Sequence, residues 1–142
     1  MRVYLAGPME NLDLEGVYGW REKIASGPKF WGLYTFLNPG RGKAAYFAGH
    51  YHPDNEIVTE SAFVTTRDLE DIKSCDLMVI RWDNTQPMKG TCIELGYATA
   101  LGKPIMSFGD KAEHPIAANL LYRYPYYEKL NDLIRALELY AS

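Results

Sequence analysis

The stretch Asp76-Leu77-Met78-Val79-Ile80-Arg81 decides the fold. Its centre is apolar without alternation, the pattern of a strand covered on both faces, as in a parallel sheet packed between helices. Helical patterns bracket it. Upstream, from about Thr59 or Ser61 to Ser74, Phe63, Leu69 and Ile72 stand among the apolar positions. Downstream, 83–90 is a loop and 91–101 a helix, ended by Gly102 at C′ with Pro104 beyond it. Further outward the alternation repeats. Residues 2–6 form a short β-rich run closed by Gly7-Pro8. Val17, Trp20 and Ile24 place a helix over 16–25, stopped by Gly27-Pro28. Residues 33–37 read as a second strand, broken by Asn38-Pro39-Gly40 and followed by a long loop over 40–58, of the kind that is usually functional or mobile. Residues 104–108 read as a fourth strand, a short helix follows Pro115, and 127–140 is amphipathic through Leu130, Leu133, Ile134 and Leu137. Strands alternating with helices predict an α/β fold, a doubly wound parallel sheet with right-handed crossovers.

With 142 residues the chain is expected to be a single domain over 1–142. A composition of 47% hydrophobic and 23% charged residues excludes intrinsic disorder. The net charge of −3 provides no electrostatic footprint for nucleic acid, but single nucleotides need only local contacts. Cys75 and Cys92 belong to no CxxC pair and make no disulfide framework. Among the three histidines, His50 and His52 read as exposed loop residues, so no metal site is expected. No apolar run approaches the ~20 residues of a membrane span. The start, MRVYLAGPM, lacks the apolar core of a signal peptide. The expected setting is cytoplasmic, with no membrane partner.

Ligands of such sheets bind outside the carboxyl ends of the strands, which selects segments 7–15, 38–58, 82–94 and 109–119. No Walker A or G-x-G-x-x-G motif is present, and Ala6-Gly7-Pro8 does not cradle a pyrophosphate, which argues against a dinucleotide-dependent dehydrogenase. No G-x-S-x-G elbow supports a Ser/His/Asp triad. The carboxylates are more informative. Thr91 and Glu94 match the capping box S/T-x-x-E, and on spacing alone the cap is the favoured reading. The alternative turns Glu94 into the crevice as a nucleophile near the positive end of a helix. Asp68 reads as part of a solvated face, the reading preferred for Glu70 and Asp71, or as a group against the crevice that shares a proton with substrate. Tyr4 is buried by pattern, and its hydroxyl needs a partner, either a carboxylate such as Glu94 or a backbone carbonyl. The turn Asn38-Pro39-Gly40-Arg41-Gly42-Lys43 carries two cations, suited to a phosphate or ribose hydroxyl or simply solvated. Trp82, Phe47 and Tyr46 either stack a base or belong to the core.

Five blocks recur together over residues 1 to about 120. They are Val3-Tyr-Leu-Ala-Gly-Pro8, Trp20-Arg21-Glu22, Leu37-Asn38-Pro39, Asp68-Leu-x-x-Ile72 with Cys75-Asp76-Leu-Met-Val79, and Gly90-Thr-x-x-Glu94-Leu-Gly-Tyr-Ala98 running into Leu101-Gly-Lys-Pro-Ile105. In combination they resemble the nucleoside 2-deoxyribosyltransferase family in its broad sense, which includes the deoxynucleoside 5′-monophosphate N-glycosidases. The resemblance implies a flavodoxin-like fold and cleavage of a deoxyribosyl N-glycosidic bond. By similarity Glu94 is the nucleophile, Asp68 the partner near the base, and Tyr4 the hydroxyl that orients Glu94. Gly7, Asn38, Arg41, Met88, Gly90, Thr91 and Asn119 are expected around the substrate, and the resemblance sets Asn119 near the contribution of a neighbouring protomer. One departure stands out. Six residues before the nucleophile the family often places Asp or Ser to read the sugar 5′ group, and this chain has Met88. Lys89, Arg41 or Asn119 must then read that end, which tips the balance slightly toward tolerance of a 5′-phosphate.

The implied reaction is attack of a carboxylate on C1′ through an oxocarbenium-like transition state, followed by resolution of the glycosyl-enzyme. It calls for a deoxynucleoside or deoxynucleotide and a free nucleobase, with no cofactor. Transfer by double displacement is the first expectation and hydrolysis the second. A non-catalytic nucleotide-binding module is the third, and such a module has no need of Glu94. A homo-oligomer, dimer or larger, is expected, with the Asn119 segment or 122–127, four tyrosines in six residues, near the contact.

Overall fold

The computed structural model describes residues 1–9, 12–27, 32–40 and 57–140. Its strands are β1 (Arg2–Ala6), β2 (Thr35–Leu37), β3 (Leu77–Trp82), β4 (Ile105–Gly109) and β5 (Tyr126–Tyr127). Its helices are α1 (Trp20–Ala25), α2 (Ile57–Ser74), α3 (Lys89–Ala100), α4 (Pro115–Leu121) and α5 (Leu130–Tyr140). Among the described residues the strands form one five-stranded sheet in the order β2-β1-β3-β4-β5, with every pairing parallel. This is the flavodoxin order, doubly wound as the alternation predicts.

The pleat sorts the core into two layers. Tyr4, Ala6, Met78, Ile80 and Trp82 face α2, α3 and α4, where Ile72, Leu95, Ala98, Ala117 and Leu121 meet them. Val3, Leu5, Leu77 and Val79 face the opposite way, against Trp20 and Ile24 of α1 and Leu133 and Leu137 of α5. Val3 to Ala6 and Leu77 to Ile80 are fully buried, which is why neither strand alternates in sequence.

Several boundaries differ from the sequence expectation. β2 is shorter than 33–37, because residues 32 and 33 form a turn in which Gly32 takes a φ of 80°. A π-helical turn, Glu15–Gly19, leads into α1. β5 was not expected. It lies within the tyrosine-rich segment, where Ser107 N donates to Pro125 O at 3.1 Å and Tyr126 Oη donates to Gly109 O at 2.5 Å. The last helix accordingly begins at Leu130 rather than 127. Of the expected loop 40–58, residues 41–56 lie outside the described residues. Among the described residues no helix is long and apolar enough to cross a membrane.

Gly109 closes β4 with φ of +101°, and a Cβ there would lie 2.6 Å from the Trp82 carbonyl oxygen. That oxygen accepts from Asp110 N at 2.9 Å, so it has little room to move. Gly109→Ala is expected to cost about 2–4 kcal/mol, from left-handed strain plus the clash with backbone. Urea unfolding of wild type and variant checks it, and a loss under about 0.5 kcal/mol would show that the β3–β4 end relaxes freely.

Candidate active site

Where β1 and β3 end side by side, the connections leave toward opposite edges of the sheet, and a crevice opens. Its volume is about 240 Å³, and its lining includes Gly7, Pro8, Pro39, Asp68, Gly90, Thr91 and Glu94. The loops after β1 and β2 contribute Gly7, Pro8 and Pro39, α2 contributes Asp68, and α3 contributes Gly90, Thr91 and Glu94.

Thr91, Leu95 and Ala98 are the buried positions of α3, and Glu94 shares their side of the helix. The capping-box expectation does not hold. The helix starts two residues early, its N-cap is Met88, and no side chain caps it, so Glu94 lies beyond the N3 position a box requires. Its carboxylate instead accepts a hydrogen bond from Tyr4 Oη at Oε2. Tyr4 sits on β1 with no exposed surface. Burial first, then the charge of Glu94 beside it, push the phenol far above its usual range, so it stays a proton donor. Of the two partners open to a buried Tyr4, the structure provides the carboxylate.

Asp68 stands on the side of α2 that carries buried Asp71 and Ile72, three and four residues further on, and that leads to Cys75 just past the helix end. Arg67 holds it: Nη2 donates to Asp68 Oδ1 at 3.1 Å and also to Pro39 O at 2.8 Å, tying α2 to the loop after β2. Glu70 is exposed, as expected of a solvated face, but Asp71 is not; it lies on the inward side and is 9% exposed.

The other expected residues are distributed unevenly. Gly7 lines the crevice, but packing demands the glycine, because a Cβ would lie 2.9 Å from the Trp20 ring. At Gly90 a Cβ would meet open space. Asn38 does not line the crevice; its Oδ1 accepts from Gly40 N at 2.8 Å and closes the turn that presents Pro39. Met88 and Lys89 line a second cleft of about 590 Å³ with Trp82, Cys92 and His114, away from both carboxylates. Although larger, that cleft contains neither Glu94 nor Asp68, so the smaller crevice, which both carboxylates line, is the candidate site. Asn119 is exposed on α4 and lines neither. Trp82 is core, 3% exposed, its Nε1 donating to Asn84 Oδ1 at 2.7 Å. Arg41, Lys43, Tyr46, Phe47, His50 and His52 lie outside the described residues. Among the described residues no cluster of three or more His, Cys, Asp or Glu could hold a metal ion.

Sequence reasoning missed the Arg67 tether and the place of Arg21. The latter had a readable signal: Val17, Trp20, Arg21 and Ile24 form one helical stripe, and an arginine on an apolar stripe is a buried charge. It is 1% exposed.

Comparison with known proteins agrees with this fold. The sequence model described as nucleoside 2-deoxyribosyltransferase matches residues 3–122. The 2-deoxyribosyltransferase of the psychrotolerant bacterium Bacillus psychrosaccharolyticus superposes with a TM-score of 0.66 and 26% identity, covering 94% of this chain and 90% of that one. A CMP N-glycosidase of Clostridium botulinum superposes at 0.61 with 22% identity, over 99% of both chains. A conserved protein of Enterococcus faecalis V583 does so at 0.63 with 18% identity, over 95% of both. These last two show likeness of fold alone. No curated protein matches the sequence.

Proposed function

This chain belongs to the nucleoside 2-deoxyribosyltransferase family, and on that premise we propose that it cleaves the N-glycosidic bond of a 2′-deoxynucleoside with Glu94 as the nucleophile. The observation that carries the reading is the hydrogen bond from buried Tyr4 to Glu94 at the crevice. It aims a carboxylate at the space where β1 and β3 end. In the first step a Glu94 oxygen bonds to C1′ and the C1′–N bond breaks, through an oxocarbenium-like transition state. Asp68 supplies the proton that the departing base nitrogen takes up. In the second step the nitrogen of another base bonds to C1′ from the opposite side, its proton passes to Asp68, and Glu94 leaves as carboxylate. A second copy of the chain completes the site in this reading, as a homo-oligomer.

The test is incubation with each deoxynucleoside and each 5′-monophosphate, with and without a second free base, followed by chromatography. Transfer is expected: the first base is released and a new nucleoside appears only when the second base is present. Release at one rate with or without the second base, and no new nucleoside, would make the enzyme a hydrolase. No cleavage of any substrate by the wild-type protein would overturn the reading and leave a nucleotide-binding module.

A further inference from the structure

Arg21 is a buried cation that the chemistry above leaves unused. Its Nε donates to Leu5 O at 3.1 Å, Nη2 to Gly7 O at 3.2 Å, and Nη1 to Val17 O. The guanidinium lies 4.4 Å from the centre of the Trp20 ring. Among the described residues no carboxylate is within ion-pairing distance of it. Burial of a charge is unfavourable, and an apolar side chain of similar volume usually packs a core as well or better. A role in packing alone therefore does not account for an arginine here.

Its position does. α1 covers the face of the sheet opposite α3, yet the guanidinium reaches the end of β1, where Leu5 and Gly7 flank Ala6. Leu5 follows Tyr4, the donor to Glu94, and Gly7 lines the crevice. We propose that Arg21 is a positioning residue for Glu94: it clamps the end of β1 from the far face of the sheet, and its charge sets the field in which Glu94 and Tyr4 sit. Its catalytic consequence rests on the glycosidic reading above, and its electrostatic consequence does not.

The electrostatics are reciprocal. Burial lowers the guanidinium to about 10, while Glu94, then Tyr4, raise it, so the cation persists at neutral pH. Arg21 in turn acts against the burial that raises Tyr4. The groups around Glu94 are Tyr4 from β1, Asp68 from α2 with Arg67 bound to it, and Arg21 from α1. Arg81 of β3 opposes the Arg21 charge, and Tyr18, from the turn before α1, supports it.

The experiment follows the carbon-13 carboxyl signal of Glu94, assigned by its loss in Glu94→Gln, through a pH titration. Wild type is compared with Arg21→Lys, Arg21→Met and Arg21→Gln. Lysine keeps the charge without the planar fork. Its Glu94 midpoint is expected within about 0.3 unit of wild type, while methionine and glutamine raise the midpoint by about one unit or more. For cleavage, kcat is expected to fall about tenfold in Arg21→Lys and further in the neutral variants, with KM within about twofold and the acid limb of kcat/KM moving with the titration. A folded neutral variant with the wild-type midpoint overturns the proposal. So does failure of both neutral variants to fold, which makes Arg21 a folding residue. An inactive wild-type protein overturns the glycosidic reading instead, because the titration needs no turnover.

Discussion

Glu94→Gln is expected to release base at least about a thousandfold more slowly than wild type while folding normally. Glutamine has nearly the same shape, and its carbonyl oxygen can still accept from Tyr4 Oη. The amide is too poor a nucleophile to form the bond to C1′. The variant removes no cap either, because the N-cap of α3 is Met88 and no side chain caps that end. The melting transition should stay within about 1 kcal/mol of wild type. Single-turnover release of base, measured beside a thermal melt, separates the two effects. A folded Glu94→Gln protein with wild-type turnover would show that the carboxylate does not attack.

Asp68→Asn is expected to cost about a hundredfold, the usual contribution of a positioned acid. Asparagine retains an oxygen for Arg67, and the bond from Arg67 Nη2 to Pro39 O at 2.8 Å does not involve Asp68, so the tether between α2 and the β2 loop persists. What is lost is the proton. The loss should therefore be largest for bases that leave poorly unprotonated and small for a deoxyriboside whose leaving group needs no proton. Comparing kcat/KM over a series of leaving groups checks this. A uniform loss across the series would make Asp68 a binding residue only.

The fold was legible because its central strand is unbroken apolar sequence, and because Gly102 and Pro104 mark where α3 must stop. β5 was not legible, since two residues show no periodicity. Glu94 was legible only as an ambiguity. The capping-box spacing fits several helix registers, and the choice depended on a helix start that local sequence leaves free by a residue or two. Asp71 was misread because a run of charged residues reads as a solvated face, whereas the buried line runs through Asp71, Ile72 and Cys75. Tyr4 illustrates the remaining difficulty. Its burial followed from the strand pattern, but its partner sits 90 residues away in sequence. Only the sheet register, with Ala6 opposite Ile80, brings α3 over that strand.

The outer strands of the sheet are brief: β2 pairs over three residues and β5 over two. An extended segment from another molecule, seeking to lengthen the sheet, would find few backbone amides and carbonyls to template on. Short rims of this kind are a known protection against runaway strand addition. Among the described residues the sheet thus offers another molecule little edge to extend, a lower risk of fibrous stacking than a five-stranded open sheet suggests at first sight.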